Sequence, residues 1–166
     1  MNNGVFNLEI TKTEKTCPIG ETIGIQNQEA GKIPVMSCEG ACIRGEIARV
    51  AANLVAKEEP YRRGCHGELL AVPHSAMADW VKKSSKVVLI DGCFMGCHGR
   101  MLENIIGVEN LVRFDALSKY KKYTDRFDID SVPERERLET ARNVADIVLA
   151  ELKKEGGNIS NIRVAK

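Results

Sequence analysis

Short apolar runs alternate with amphipathic stretches along this chain from Ile33 onwards. The first run, IPVMS, is typical of a buried strand, and after residue 42 apolar positions recur at the three- and four-residue spacing of a helix up to about Lys57. The clearest strand is KVVLI, residues 86–90, because a β-branched run there is bounded by charged residues and Gly92. The pattern therefore predicts strands that alternate with helices.

Four strands and at least four helices are predicted in this way. The strands lie at residues 33–37, 68–72 (ELLAV), 86–90 and 110–114 (NLVRF), and the helices at 43–57, after Ser75, near 101–106 and after Pro133. This order is typical of right-handed βαβ units and a parallel sheet that is covered on both faces. We predict an α/β fold: a small three-layer sandwich with a mostly parallel, flavodoxin- or Rossmann-like sheet of about four strands.

The chain is predicted to form one domain over residues 1–166. Its 166 residues with 43% apolar composition suffice for one well-buried core. Residues 1–32 are more polar, and we expect them to be weakly structured or, at 5–10 (VFNLEI), to add an edge strand.

Charge and hydropathy exclude two classes of partner. The net charge of +1 supplies no field that would select nucleic acid, and no stretch approaches 18 consecutive apolar residues, so we expect no membrane segment. The polar N-terminus lacks the apolar stretch of a secretory signal, and we expect a cytoplasmic protein.

The chemistry of the chain is concentrated in its cysteines. In a reducing compartment, thiols more often bind metal or react than form structural disulfides. The chain contains six of them, Cys17, Cys38, Cys42, Cys65, Cys93 and Cys97.

Two Cys-x3-Cys pairs follow the first and third predicted strands. In a flavodoxin-like sheet the ligand site lies beyond the carboxyl ends of these strands, where the strand order reverses. Each pair straddles a helix start, and the helix N-terminus favours the thiolate, which is the form that binds metal. Four sulfurs from Cys38, Cys42, Cys93 and Cys97 could thus converge on a tetrahedral zinc ion, with Arg44 and Arg100 offsetting the negative charge.

The remaining candidates stay open on sequence alone. Cys65 can join the site only if the second strand begins later than residue 68 or its flanking loop bends back. His66 and His98 each follow a cysteine and are alternative ligands or ordinary packed histidines. Asp91 is a cap for the following helix, a hydrogen-bond acceptor behind a ligand, or an acid.

The segments CEGAC (38–42) and VVLIDGCFMGC (87–97), with Cys65 between them, resemble the DGC family, which is named for its Asp-Gly-Cys motif and to which zinc binding has been attributed. The resemblance spans about residues 33–114. It implies Cys38, Cys65, Cys93 and Cys97 as the metal ligands and Cys42 as an extra thiol. It implies no reaction.

Three alternatives to zinc binding follow from the same residues. Residues 38–44 have the pattern Cys-x5-Arg between a strand and a helix, as in the phosphate loop of low-molecular-weight tyrosine phosphatases and arsenate reductases. Two features depart from that family: Gly45 replaces the usual hydroxyl residue, and no Asp-Pro is present to supply the general acid. Paired thiols at helix starts are also typical of thiol redox or sulfur-handling proteins. An iron–sulfur cluster would use the same thiolates as zinc.

Overall fold

A computed structural model describes the protein over residues 7–156. Its strands are β1 (Ile33–Ser37), β2 (Tyr61–Arg63), β3 (Val87–Asp91) and β4 (Leu111–Asp115). Its helices are α1 (Pro18–Glu29), α2 (Ile43–Val55), α3 (His66–Ala71), α4 (Ala76–Lys83), α5 (Cys97–Ile106), α6 (Ala116–Tyr120) and α7 (Glu134–Gly156). Short 3-10 turns occupy Val108–Asn110 and Ile129–Ser131.

The four strands form one parallel sheet in the order β2-β1-β3-β4. Val35 pairs with Val88 across the two central strands, and Leu89 pairs with Arg113 across the next pair. A helical crossover after each of the first three strands returns the chain to the same end of the sheet, as parallel pairing requires. The α/β fold and the four-strand parallel sheet are therefore confirmed, with the reversal of strand order between β1 and β3.

Helices cover both faces of the sheet because successive strand side chains point to opposite sides. Val35, Val88 and Ile90 pack with α2 and α7 on one face. Met36 and Leu89 pack with α3, α4 and α5 on the other face. Each strand in the centre of the sheet is thus buried on both sides, which explains its continuous apolar sequence.

The second strand lies elsewhere than the sequence predicts. The apolar run 68–72 belongs largely to α3, where Leu69 is buried, and a short apolar run does not by itself distinguish a helix from a strand. The actual β2 is an edge strand of three residues, two of them arginines, and it pairs only with β1. Strand hydropathy could not reveal it, because the side chain of Arg63 bonds to the neighbouring strand instead of packing in an apolar layer.

The N-terminal segment contains a helix, α1, which the sequence pattern did not predict. Its buried positions are Gly20, Gly24 and Asn27, while Ile19 is 75% exposed, so the helix has no apolar stripe to detect. Cys17 caps the helix, and its Sγ accepts a hydrogen bond from the Gly20 amide at 3.4 Å.

Residues 7–10 of the predicted edge strand have no regular structure, and residues 5 and 6 lie outside the described range. The assignment of the whole chain to one domain stays a prediction. Every helix between residues 7 and 156 is too short or too polar to cross a membrane.

Replacing Gly24 by Ala tests how α1 is held against α4. A β-carbon at this position would meet the backbone of Ala76 and Met77, so the helices must move apart. We expect a loss of about 1–3 kcal/mol in the free energy of unfolding, measured by urea denaturation. Gln28→Ala, at an exposed position of the same helix, is the control and should change stability by less than about 0.5 kcal/mol. An increase in stability, as expected from helix propensity alone, would show that α1 is not packed in this way.

Candidate metal centre

Three adjacent strands each end in a turn that contains a cysteine. Cys38 directly follows β1, while Cys65 and Cys93 each lie two residues beyond the ends of β2 and β3. Because all strands are parallel, the three turns lie at the same edge of the sheet, and the turn after β1 lies between the other two. Cys65 reaches this edge in another way than the sequence analysis considered. The second strand ends before this cysteine instead of beginning after it.

Helix starts hold three of the thiols at this edge. Cys42 and Cys65 are the N-caps of α2 and α3, and Cys97 is the first residue of α5. The unpaired amides at a helix N-terminus favour a negative charge nearby. The predicted placement of both Cys-x3-Cys pairs around helix starts is therefore observed.

The Cys38 thiol is partly buried, and its surroundings disfavour the thiolate. Burial raises its pKa, and the charges of Asp91 and Cys42 act in the same direction. The backbone amides of Gly40 and Gly92 partly offset this effect, the first at 3.4 Å from the sulfur. The neutral thiol is therefore favoured at Cys38.

The Cys42 thiol behaves in the opposite way. Partial burial alone would raise its pKa, but the amides of Gly45 and Arg44 and the Arg44 guanidinium together lower it. Arg44 thus acts on Cys42 as the sequence predicts. Arg100 similarly lies beside Cys97, with 3.9 Å between its Nη2 and the sulfur.

The thiols are not gathered into a closed ligand set. All six cysteines are free, and between residues 7 and 156 no three Cys, His, Asp or Glu side chains are arranged so that they could hold a metal ion. The structure therefore brings the predicted residues to one edge of the sheet without bringing their sulfurs together. Their role as metal ligands stays a prediction.

His66 and His98 are in contact at this edge. Their ring centroids lie 4.9 Å apart with an interplanar angle of 80°. His66 Nε2 and His98 Nδ1 are buried and have no hydrogen-bond partner. Burial, together with the neighbouring His98, lowers the pKa of His66 to about 4. The backbone amide of Glu39 donates to His98 Nε2 at 3.4 Å.

The donors at this edge fit zinc in their chemistry. Thiolate sulfur and neutral imidazole nitrogen are the ligands that zinc takes most often in proteins. Two buried ring nitrogens without a hydrogen-bond partner, one on each histidine, are also compatible with this chemistry.

Sequence reasoning missed the part played by Arg63. Its guanidinium donates to the carbonyl oxygen of Val35 at 2.8 Å, to Ser37 Oγ at 2.9 Å and to Glu39 Oε1 at 3.2 Å. These bonds tie the end of β2 to the end of β1 and to the loop that carries Glu39. The sequence did not indicate this role, because Arg63 was not assigned to a strand.

Asp91 anchors the turn between β3 and α5. Its side chain is almost fully buried, accepts from the Gly99 amide at 3.3 Å and pairs with Arg113 Nη2 at 3.2 Å. Asp91 is therefore not the N-cap of α5, which is Gly96, but its carboxylate accepts a hydrogen bond from the amide of the third residue of this helix. Gly96, with φ of 54°, adopts the left-handed conformation that the turn needs, and Arg113 occupies the space of a side chain there.

A small parallel α/β domain whose central strands end in cysteine turns is the class of protein that the fold and this edge define. The family model described as DGC domain matches residues 34–144, more than half of the chain. The protein therefore belongs to the DGC domain family, as its Asp91-Gly92-Cys93 motif indicates. No curated protein and no solved structure matches the chain.

The unequal thiols predict that Cys42 reacts faster than Cys38 in the metal-free protein. Its lowered pKa means a larger thiolate fraction at pH 7 than at Cys38, whose pKa is raised. We expect iodoacetamide to modify Cys42 several-fold faster, as measured by fragmentation mass spectrometry of the peptide that contains both residues. Arg44→Gln should shift the pH profile of this reaction to higher pH, because the charge that stabilises the thiolate is lost. Arg49→Gln, on the same helix, is the control, and an equal shift for both variants would contradict the assignment.

Asp91→Asn should destabilise the protein by about 1–3 kcal/mol, because an amide cannot pair with the Arg113 charge in this buried position. Urea denaturation measures the loss. Glu103→Gln removes the other, partly exposed partner of Arg113 and should cost less than about 1 kcal/mol. Equal losses for the two variants would show that Asp91 is not the anchor.

Proposed function

We propose that this DGC domain binds zinc through cysteine thiolates at the carboxyl edge of its sheet. The observation that supports this most directly is that β2, β1 and β3, which are neighbours, each end in a cysteine turn. The proposed ligands are those implied by the family, namely Cys38, Cys65, Cys93 and Cys97, with Cys42 able to substitute.

The spacing of the strands suits a shared ion. Neighbouring strands lie about 4.8 Å apart, and thiolates bind zinc at about 2.3 Å. Sulfurs from adjacent strand ends can therefore reach one ion by side-chain rotation and small movements of the turns. Cys65 and Cys97 are exposed, and neither forms a disulfide.

Zinc would also supply positive charge that stabilises the thiolate form of the cysteines. Binding requires the thiolate form, so the ion releases protons from cysteines such as Cys38, whose pKa is raised in the metal-free protein. Four thiolates leave no open position for water, and such sites are usually structural. We expect the protein in a reducing compartment, in agreement with the cytoplasmic location that the sequence predicts, because the site needs free thiols.

The double variant Cys93→Ser/Cys97→Ser should lose stoichiometric zinc. Two of the proposed ligands are removed at once, and serine hydroxyls do not replace thiolates around zinc. Elemental mass spectrometry on untagged protein, purified anaerobically, measures the metal content, with about one zinc per chain expected before mutation.

Cys17→Ser is the matched control for this experiment, since Cys17 caps α1 and lies before the site in sequence and outside its turns. It should keep its zinc. An unchanged metal content in the double variant would refute the assignment, and iron with charge-transfer absorption in the parent protein would replace zinc by an iron–sulfur cluster.

Thiol redox chemistry is the second candidate, and the lowered pKa of Cys42 beside Cys38 supports it. It predicts that the metal-free protein forms a Cys38–Cys42 disulfide reversibly in glutathione buffers. The phosphatase alternative is less well supported. Its nucleophile would be Cys38, but burial raises the pKa of this thiol, whereas such a nucleophile needs a low pKa.

A further inference from the structure

Large apolar side chains are exposed on α5 and on the turn that precedes it. Phe94 and Met95 in the turn are 77% and 51% exposed, and Met101 and Ile105 on the helix are exposed as well. Met101 and Ile105 are four residues apart, so they project from the same side of α5 as Cys97. We call these four apolar residues the α5 patch. Exposed apolar side chains that are grouped in this way mark an interaction site more often than scattered ones do.

A second exposed apolar segment precedes α1. Residues 7–16 have no regular structure, and Leu8 and Ile10 are 75% and 49% exposed. The polar bonds described for residues 7–16 stay within the segment, as between Lys12 and Glu14 at 2.7 Å. None of these bonds fixes the segment to the rest of the domain, so little opposes its movement.

The start of α1 places this segment at the carboxyl edge of the sheet. The helix ends just before β1 begins, so its last turn lies at the amino end of the sheet and its first turn at the opposite end. Oε1 of Glu68, in α3, fills the space that a side chain at Gly20 would take. The first turn of α1 therefore adjoins α3, which follows the cysteine turn of β2.

The segment is long enough to reach the α5 patch. Helix α4 packs against both α1 and α5. The two outer helices are therefore about two interhelical distances apart, or about 16–20 Å. An extended chain covers at least about 3.3 Å per residue, so the stretch from Ile10 to Cys17 spans about 23 Å. Leu8 reaches further still.

We propose that residues 7–16 form a strap that closes over the carboxyl edge and places Leu8 and Ile10 on the α5 patch. Closure removes apolar surface from water on both sides of the contact, which is its driving force. The path from α1 to α5 passes the starts of α3 and α5, so the closed strap covers Cys65 and Cys97. Both cysteines are exposed in the present structure, in which the strap is open. The strap thereby controls the access of solvent and ions to these thiols.

The chain itself is a better occupant of the patch than a second copy of the protein. The strap is tethered beside the patch by α1, and a short flexible tether gives an effective concentration of about the millimolar range. Leu8 and Ile10 are two residues apart, so in an extended strap both side chains point to one side and Glu9 points away. This pattern suits a segment that buries one side and keeps the other in water.

Photo-crosslinking from position 8 of the full-length protein tests the proposal directly. The substitution Leu8→p-benzoylphenylalanine is made, the protein is irradiated, and the linked peptides are identified by mass spectrometry. We expect links to residues 94–105 of the same chain. The same photoreactive group at Ile19, which is 75% exposed but fixed on α1, is the control and should not link there.

Two outcomes of the crosslinking would overturn the proposal. Linked protein of twice the chain mass on a denaturing gel would make a second copy the occupant of the patch. Absence of links to residues 94–105 would show that the strap does not close.

Hydrogen exchange provides the second test. Leu8→Ser/Ile10→Ser should raise the exchange rate of the backbone amides in residues 94–101 several-fold, because the strap no longer covers them. Lys12→Ser/Glu14→Ser changes the same segment at an exposed ion pair and should leave the rate as it is. An unchanged rate in the first variant, or an equal rise in both, would contradict the proposal.

A combination of variants shows whether the strap and the α5 patch act as one contact. Phe94→Ser/Met101→Ser should also raise the exchange rate, and adding Leu8→Ser/Ile10→Ser to it should cause no further rise, because residues in contact are not additive. Additive rises would overturn the proposal. Neither crosslinking nor hydrogen exchange depends on bound zinc, so a failure of the strap leaves the proposed function in place.

Discussion

Parallel pairing of β1 with β3 is the constraint on which the rest of the structure depends. It places the reversal of strand order between these two strands and brings the turn after each to the same edge of the sheet. The ladder continues one residue beyond β1, where the Cys38 amide donates to the Ile90 carbonyl oxygen at 2.9 Å. The first cysteine turn is thus hydrogen-bonded to the strand that leads into the second.

The turns around this pairing are held by close contacts that leave little room for side chains. A β-carbon at Gly92 would lie 3.0 Å from the Arg44 backbone at the start of α2, so the Asp-Gly-Cys turn packs directly on the neighbouring helix. Asp91 and Arg113 fix the other side of the turn. Packing and buried polar bonds therefore set the backbone of the site.

The site combines a well-anchored backbone with thiols of unequal character. Arg44 and the start of α2 stabilise a thiolate at Cys42, while burial and Asp91 disfavour one at Cys38. On the other face of the sheet, Arg63 and Glu39 adjoin the imidazole pair of His66 and His98. Strand order alone would suggest one uniform set of sulfurs, but the local contacts divide the edge into the thiols of Cys38 and Cys42 near the start of α2 and two Cys-His dipeptides at the starts of α3 and α5.

The sequence by itself determined the central part of this protein. The apolar runs of β1, β3 and β4 and the helical spacing of α2 were sufficient for the parallel α/β fold, and the cysteine motifs were sufficient for the family. The runs of β1 and β3 are continuous because these central strands are buried on both faces. Only the tertiary structure decided which residues form the edge strand β2 and the N-terminal helix α1. β2 has only three residues, two of them arginines, and the Arg63 guanidinium bonds to β1, while α1 is buried through glycines and an asparagine, so neither has a hydropathy signal. The contact of His66 with His98 and the unequal thiol pKa values likewise depend on residues that are distant in sequence and meet only when the sheet has formed.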